Sequence, residues 1–181
     1  MTSIARPHPP NRTGASSTRR VVVGIGEFAV SDRPDEMIVT HALGSCIAVC
    51  LWDTDRRVAG LLHFLLPDSA INMQRAMEQP AAFADSGIPA LFQAAYELGA
   101  KKASCKVSLI GGAELAGGPS GPGSAFNIGR RNQLAARTTL SQNGVAIHKE
   151  DVGGRAARTV HLWVADGRLQ VATGRDHIRD L

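Results

Sequence analysis

The sequence contains little cysteine and few aromatic residues. Three cysteines, Cys46, Cys50 and Cys105, occur among 181 residues, and an odd number of thiols cannot all pair, so a disulfide framework is a poor explanation for them. Aromatic side chains make up only 4% of the chain, whereas 44% of its residues are hydrophobic. A chain of this length and composition can bury a core of aliphatic side chains in one domain.

Long apolar runs are also missing. Residues 1–20 contain no apolar core of a secretory signal, and every later apolar segment is interrupted by charged or turn residues before it could span a bilayer. We therefore expect a cytoplasmic protein that does not insert into membranes and whose thiols stay reduced.

Positive charge is concentrated near the start of the chain. The formal net charge is +4, and much of the excess lies in residues 1–20, which are also rich in Pro and Ser. We expect this segment to be a disordered basic N-terminal tail and residues 21–181 to form a single domain. Basic residues do not alternate with aromatic ones later in the chain, so nucleic-acid binding is not favoured over a solvated tail.

Apolar runs separated by turn residues predict a series of strands. Most of these runs are apolar on both faces, which is typical of a buried sheet rather than one exposed to water. The predicted strands cover residues 21–30, 37–40, 46–52, 58–66, 105–110, 145–152, 158–165 and 168–174, with a hairpin turn at Asp166–Gly167 and a flexible loop at residues 117–124.

Two segments have helical spacing of apolar residues. The first can be capped by Asp85 or Ser86 and should end near Gly99. The second should begin after Asn127, a suitable N-cap, and stop at Asn143 and the glycine that follows it. These helices are expected to pack on the buried sheet.

Two candidate catalytic side chains, Cys46 and His63, lie on neighbouring predicted strands. If residues 53–56 form a four-residue hairpin turn, Trp52 pairs with Arg57 and Cys46 lies opposite His63. Directly opposed residues have Cβ atoms about 4.5 to 5.5 Å apart, so sulfur and imidazole could share a proton. A shift of one residue would separate them onto opposite faces. Without this pairing, a core cysteine and a core histidine are the commoner interpretations.

The residues before Cys46 suit a nucleophile. Gly44 permits a tight turn or a close approach by substrate, and the N–H groups of Ser45 and Cys46 are candidate donors to an oxyanion. A neighbouring imidazole could hold the thiol as a thiolate. We therefore expect an accessible Cys46 of low pKa that reacts before Cys50 and Cys105.

A zinc site is an alternative interpretation of the same segment. His41, Cys46, Cys50 and His63 could supply four ligands, but their spacing lacks the usual zinc knuckle. Two further histidines, His148 and His161, lie on predicted strands, where structural or exposed positions are expected.

Five motifs together resemble one family. THALGSCIAVCLWD, GLLHFLLP, IGGAEL, NIGRRN and DVGGRAAR occur in the order and approximate spacing of the chemoreceptor glutamine deamidase family, CheD, over about residues 21–174. The resemblance implies an active site of Cys46, His63 and Thr40. It also implies an α+β fold, a layered sandwich of mixed β-sheet packed with helices, similar to cysteine-dependent deamidating toxin domains. Leu65 and Ile110 replace a common Met and a common aromatic residue, and both exchanges are apolar.

The resemblance further implies a reaction. The thiol of Cys46 would convert glutamine side chains of methyl-accepting chemotaxis receptors to glutamate through a thioester, and the same chemistry could cleave a glutamate methyl ester. Neither a cofactor nor a metal is expected. Candidate substrate-binding residues are Gly44, Ser45, Gly111, Gly112 and Asn127.

A binding role is the alternative to catalysis. The resemblance also implies a CheC-type phosphatase as a possible partner, and a chain that kept the fold could engage receptors or this phosphatase without catalysis. The presence of Thr40, Cys46 and His63 together favours an enzyme.

Overall fold

A computed structural model describes residues 18–114, 127–174 and 177–181. Within these ranges the chain forms ten strands and three α-helices, joined by loops and short 3₁₀ turns. Their bounds are β1 Arg19–Val22, β2 Glu27–Ser31, β3 Glu36–Leu43, β4 Ile47–Asp53, β5 Ala59–Phe64, α1 Met73–Glu78, α2 Ala84–Glu97, β6 Cys105–Gly111, α3 Ile128–Gln142, β7 Ile147–Val152, β8 Arg158–Trp163, β9 Leu169–Thr173 and β10 His177–Asp180.

The strands form two five-stranded sheets. Sheet A has the order β1-β3-β8-β9-β10, and sheet B has the order β2-β5-β4-β6-β7. Both sheets are mixed, because β1 runs parallel to β3 and β6 runs parallel to β7, whereas the other pairs are antiparallel. The predicted α+β class with mixed sheets is confirmed.

Apolar side chains fill two layers, one on each face of sheet B. Alternate residues of β4 point to opposite faces, as the pleat of a strand requires. Ile47 and Leu51 pack in the layer shared with α2 and α3, while Ala48 and Cys50 pack in the layer between the two sheets. This double burial explains why the strand is apolar throughout.

The first predicted strand is wrong. Residues 21–30 were expected to form one strand, but β1 ends at Val22 and β2 begins at Glu27, and the two belong to different sheets. Between them Gly26 adopts a φ of +75°, a left-handed conformation that glycine takes without strain and that turns the chain.

The helix predictions are confirmed in type and corrected in one boundary. Asn127 caps α3 as predicted, since its side chain accepts a hydrogen bond from the N–H of Arg130. The other predicted cap is wrong, because α2 begins at Ala84 and Asp85 already lies in its first turn. There Asp85 accepts hydrogen bonds from the N–H and hydroxyl of Ser69. The short helix α1 and the strand β10 were not predicted.

Three other predictions concern the periphery. The hairpin turn at Asp166–Gly167 joins β8 and β9, and Gly167 has a φ of +69°. The predicted loop at residues 117–124 and most of the predicted tail lie outside the described residues, although Arg19 and Arg20 belong to β1. No helix within the described ranges is long and apolar enough to cross a bilayer.

The hairpin that joins β4 and β5 has a different register from the predicted one. The N–H of Asp53 donates to the carbonyl of Val58 at 2.8 Å, and Trp52 pairs with Ala59 instead of Arg57. The pairing is therefore displaced by two residues. Because side chains alternate with a period of two, this displacement leaves every side chain on its predicted face.

The Asp53 carboxylate fixes this register. It accepts hydrogen bonds from the N–H groups of Asp55 and Arg56, each at 2.8 Å, and from the Lys101 N–H and the Ser104 hydroxyl at 2.6 and 2.8 Å. Burial alone would raise the pKa of Asp53, but these hydrogen bonds outweigh it and hold the pKa below its usual range. The carboxylate thus stabilises the turn from within the end of β4.

Replacing Asp53 by Ala should lower the free energy of unfolding by about 3 kcal/mol, because four donors lose a charged acceptor. Urea unfolding at neutral pH measures the change. The loss should shrink as the pH falls, because a carboxyl with a depressed pKa contributes its stability above the unfolded-state pKa and loses it on protonation. The exposed neighbour Asp55 is the control, and Asp55→Ala should change stability by less than about 0.5 kcal/mol. Equal losses in both variants would contradict this account of the turn.

Candidate active site

Thr40 and His63 meet between the two sheets. Thr40 lies near the end of β3 in sheet A, and His63 lies in β5 of sheet B. Both residues are fully buried. The Thr40 Oγ1 lies 2.7 Å from the His63 Nδ1, and this hydrogen bond joins the two sheets.

The same hydroxyl fixes the tautomer of the imidazole. Thr40 Oγ1 donates its hydrogen bond to the carbonyl of Val23 at 2.7 Å. A hydroxyl has a single proton, so toward His63 it must accept, and Nδ1 must carry the ring proton. The Nε2 of the neutral ring then has a free lone pair. It is buried and has no hydrogen-bond partner among the described residues.

Cys46 lies immediately before β4 and faces the same layer as His63. It packs against the cluster between the sheets that contains Ala48 and Cys50. The residue paired with His63 is Ala48, so the predicted direct pairing of Cys46 with His63 is wrong by two residues. Cys46 is instead its diagonal neighbour, at a Cβ separation of roughly 7 Å. In the described part of the chain no hydrogen bond joins the two side chains.

Burial keeps this pair neutral at rest. Desolvation lowers the pKa of His63 to about 4, and desolvation raises the pKa of the Cys46 thiol, although its own backbone N–H partly opposes the shift. Both directions follow from the loss of water around the charged forms. The low thiol pKa expected from the sequence is therefore wrong. The site holds a thiol and a neutral imidazole, with Nε2 available as proton acceptor.

The loop that carries Cys46 is held by its carbonyl groups. The N–H of Gly112 donates to the Cys46 carbonyl, and the N–H of Ala113 donates to the Gly44 carbonyl, each at 2.7 Å. Gly111, with a φ of +116°, must be glycine because a Cβ there would collide with the Cys46 carbonyl. Two of the predicted substrate-binding glycines, Gly111 and Gly112, thus support the loop that carries Cys46.

Unlike the carbonyls of this loop, the N–H groups of Ser45 and Cys46 are not used to hold it in place. Within the described residues no backbone carbonyl accepts a hydrogen bond from the N–H of Ser45 or of Cys46. These two groups are the donors predicted for an oxyanion, and their availability is consistent with that role. Asn127, predicted to bind substrate, uses its side chain to cap α3.

The zinc alternative does not fit the geometry. His41 follows Thr40 on β3, and its side chain lies on the opposite face of sheet A, where its ring makes an edge contact with His161. Cys46 and Cys50 face the layer between the sheets. Among the described residues, no group of three or more His, Cys, Asp or Glu side chains could hold a metal ion.

Asn132 of α3 is the last residue of the NIGRRN motif, and the sequence alone indicated no hydrogen-bond partner for it. Its side-chain Nδ2 donates to the carbonyls of Ser45 and Leu65 at 3.0 and 2.9 Å, on either side of the two candidate catalytic residues. The spacing of the helix could have drawn attention to this residue. Asn132 occupies the buried stripe of α3 with Gly129, Ala136 and Leu140, where an apolar residue is expected.

The comparisons with known proteins identify the family. A family model described as CheD chemotactic sensory transduction matches residues 65–173. The probable chemoreceptor glutamine deamidase CheD 2 of Anaeromyxobacter dehalogenans is 47% identical over 85% of this chain and 94% of that protein. The chain belongs to the CheD family. The resemblance drawn from the five motifs is confirmed.

Further CheD relatives agree in extent. The probable chemoreceptor glutamine deamidase CheD 1 of Syntrophus aciditrophicus is 42% identical and covers 89% of this chain and 98% of its own. A probable chemoreceptor glutamine deamidase CheD of Solibacter usitatus is 38% identical over 83% of this chain and 86% of that protein. Among solved structures, the hypothetical protein YfiH of Bacillus licheniformis has a TM-score of 0.37 and 11% identity, covering 77% of this chain and 61% of that one.

Cys46 should be alkylated by iodoacetamide before the other two thiols, because it alone among them is partly exposed while Cys50 and Cys105 are buried. Its rate should rise with pH through a pKa above the ordinary thiol value, because iodoacetamide reacts with the thiolate. Peptide mass analysis after timed labelling measures both effects. A Cys46 rate that is already at its plateau near neutral pH would instead indicate the thiolate expected from the sequence.

Proposed function

We propose that this CheD protein is a cysteine-dependent deamidase that converts glutamine side chains in the cytoplasmic region of methyl-accepting chemotaxis receptors to glutamate. The observation that carries the proposal is the unpartnered Nε2 of His63 on the same face as the partly exposed thiol of Cys46. The relatives that share the family are named chemoreceptor glutamine deamidases, which supports the substrate class.

Acylation begins with a neutral pair. Cys46 Sγ attacks the carboxamide carbon as His63 Nε2 takes the thiol proton, so a C–S bond forms and the carbonyl oxygen becomes an oxyanion. The N–H groups of Ser45 and Cys46 stabilise this oxygen. Nε2–H then protonates the amide nitrogen, the C–N bond breaks and ammonia leaves. Thr40 accepts from Nδ1–H throughout and holds the ring in orientation.

In deacylation His63 again acts as the base, and it now deprotonates water in place of the thiol. Neutral His63 removes a proton from water as the water oxygen attacks the thioester, and the imidazolium returns this proton to sulfur as the C–S bond breaks. The products are glutamate and the free Cys46 thiol. A glutamate methyl ester would follow the same steps with methanol as leaving group.

The alternative is a binding module for chemoreceptors or for a CheC-type phosphatase. A buried imidazole nitrogen without a partner weakens this alternative. An unsatisfied buried polar atom destabilises the fold, and because it is buried it cannot contribute to a binding surface. A CheC-type phosphatase remains compatible with the enzyme as a separate partner.

Substitution of the three residues should reduce deamidation to different extents. Cys46→Ala should abolish ammonia release from a receptor fragment, and His63→Ala should lower kcat by roughly 10² to 10⁴ because proton transfer is lost. Thr40→Ala should be the mildest, since both reacting groups stay, and Thr40→Ser should recover most of the rate through its hydroxyl. Ammonia release and mass analysis of the receptor glutamines provide the measurements.

Two results would contradict this scheme. Glutamate formation at wild-type speed by Cys46→Ala would exclude the covalent intermediate. Absence of deamidation by the wild type on several receptor fragments that it nevertheless binds would favour the binding module.

The pH dependence of kcat/KM should show whether the pKa of His63 is depressed or has the ordinary value of an imidazole. With the pKa of His63 at about 4, kcat/KM should persist down to about pH 5. If the pKa of this imidazole were about 6.5, kcat/KM would already have fallen to half at about pH 6.5. Folding must be followed by circular dichroism at each pH. The depressed pKa means that His63 contributes its full stability above about pH 6.5, and that this stability is lost as the pH falls toward 4. An acid limb near pH 6.5 in protein that is still folded would contradict the neutral pair.

A further inference from the structure

A buried asparagine interrupts the apolar face of α3. Asn132 is 0% exposed, and it shares the buried stripe of the helix with Gly129, Ala136 and Leu140. Burial of an amide is unfavourable unless hydrogen bonds replace its contacts with water. The Oδ1 of Asn132 has no hydrogen-bond partner among the described residues. An apolar residue would fill this position without that cost, so the hydrogen bonds that the Asn132 amide does make require an explanation.

The other end of the amide joins the two strands of the site. The last residue pair of the β4–β5 ladder is Ile47 with Phe64. Beyond it, Asn132 Nδ2 donates to the Ser45 carbonyl at 3.0 Å and to the Leu65 carbonyl at 2.9 Å. One side chain thus replaces the ladder at the point where the strands that carry Cys46 and His63 separate.

The hydrogen bond to Ser45 also orients the next N–H. The described chain has no cis peptide bond, and in a planar trans peptide the carbonyl and the N–H point in opposite directions. Asn132 holds the Ser45 carbonyl, so the N–H of Cys46 points away from α3. That N–H donates to no backbone carbonyl among the described residues.

We propose that Asn132 is a positioning residue that fixes the Ser45–Cys46 peptide plane and thereby aims the Cys46 N–H at the oxyanion. It holds one of three successive carbonyls, since Ala113 and Gly112 bond those of Gly44 and Cys46. The inference rests on the proposed acyl chemistry at Cys46 and adds to it the residue that orients the oxyanion donor.

The experiment compares two reactions of the same thiol. In acylation by p-nitrophenyl acetate, sulfur attacks the ester carbonyl, a tetrahedral oxyanion forms, and p-nitrophenolate leaves while the thiol proton passes to His63. Alkylation by iodoacetamide displaces iodide and forms no oxyanion. The burst of p-nitrophenolate and the rate of carbamidomethylation are measured on wild type, Asn132→Ala and Asn132→Leu. The leucine variant retains buried volume and removes only the amide.

Loss of the positioned donor should slow acylation by about 10- to 100-fold in both variants. Alkylation should change by less than about threefold, because the thiol itself is untouched. Asn143→Ala is the matched control, since this asparagine also lies at α3 and donates its Nδ2 to the Thr139 carbonyl. It should leave both rates unchanged.

The inference is overturned if acylation and alkylation fall by the same factor, if neither falls, or if both Asn132 variants fail to fold, since each result assigns Asn132 a purely structural role. Absence of a Cys46-dependent burst in the wild type would overturn it as well. Because p-nitrophenyl acetate requires no receptor, a failure to deamidate receptor glutamines would leave this test intact.

Discussion

The hydrogen bond from His63 Nδ1–H to the Thr40 hydroxyl is the constraint on which the site depends. It crosses the apolar layer between the sheets, where an imidazole without partners would be strongly unfavourable. One proton on the hydroxyl decides the direction of both its bonds, and through them the tautomer of the ring. Sheet A therefore orients the imidazole that sheet B carries and that we propose as the base, so the proposed chemistry depends on how the two sheets pack.

The sequence predicted most of the strands, the helices α2 and α3 and the shared face of Cys46 and His63, because these follow from the local spacing of apolar residues, whereas the separation of β1 from β2 and the strand β10 were missed. It did not predict the register of the β4–β5 hairpin. That register depends on the Asp53 carboxylate, whose donors include Lys101, 48 residues further along the chain. A contact of that separation has no local pattern. The error was nevertheless harmless to the face of the thiol, since a displacement of two residues preserves it.

The protonation of the site was less predictable than its residues. From the sequence, a histidine near a cysteine indicates an ion pair, because the pattern suggests only that the two side chains are close and not how deeply they are buried. The structure adds the absence of water, and desolvation moves the pKa of His63 down and that of Cys46 up. The two shifts together favour the neutral pair. In the proposed reaction, charge then develops only during attack, which is the moment at which backbone donors stabilise it most.

The loop of residues 42–46 keeps the N–H groups of Ser45 and Cys46 available as donors. Ala42 at its start has a φ of +57°, a left-handed conformation that is unfavourable for a residue with a side chain and persists only where neighbouring contacts impose it. The Ala42 carbonyl accepts a hydrogen bond from the Gly44 N–H at 2.9 Å, and the next three carbonyls of the loop that are bonded, those of Gly44, Ser45 and Cys46, are held by Ala113, Asn132 and Gly112. The loop is joined to neighbouring elements through its carbonyl oxygens, and the Gly44 N–H donates to the Ala42 carbonyl within the loop, whereas the N–H groups of Ser45 and Cys46 bond no backbone carbonyl of the described residues. In the proposed reaction, the N–H groups of Ser45 and Cys46 are therefore in place before a substrate carbonyl arrives, so the loop need not reorganise when the oxyanion forms.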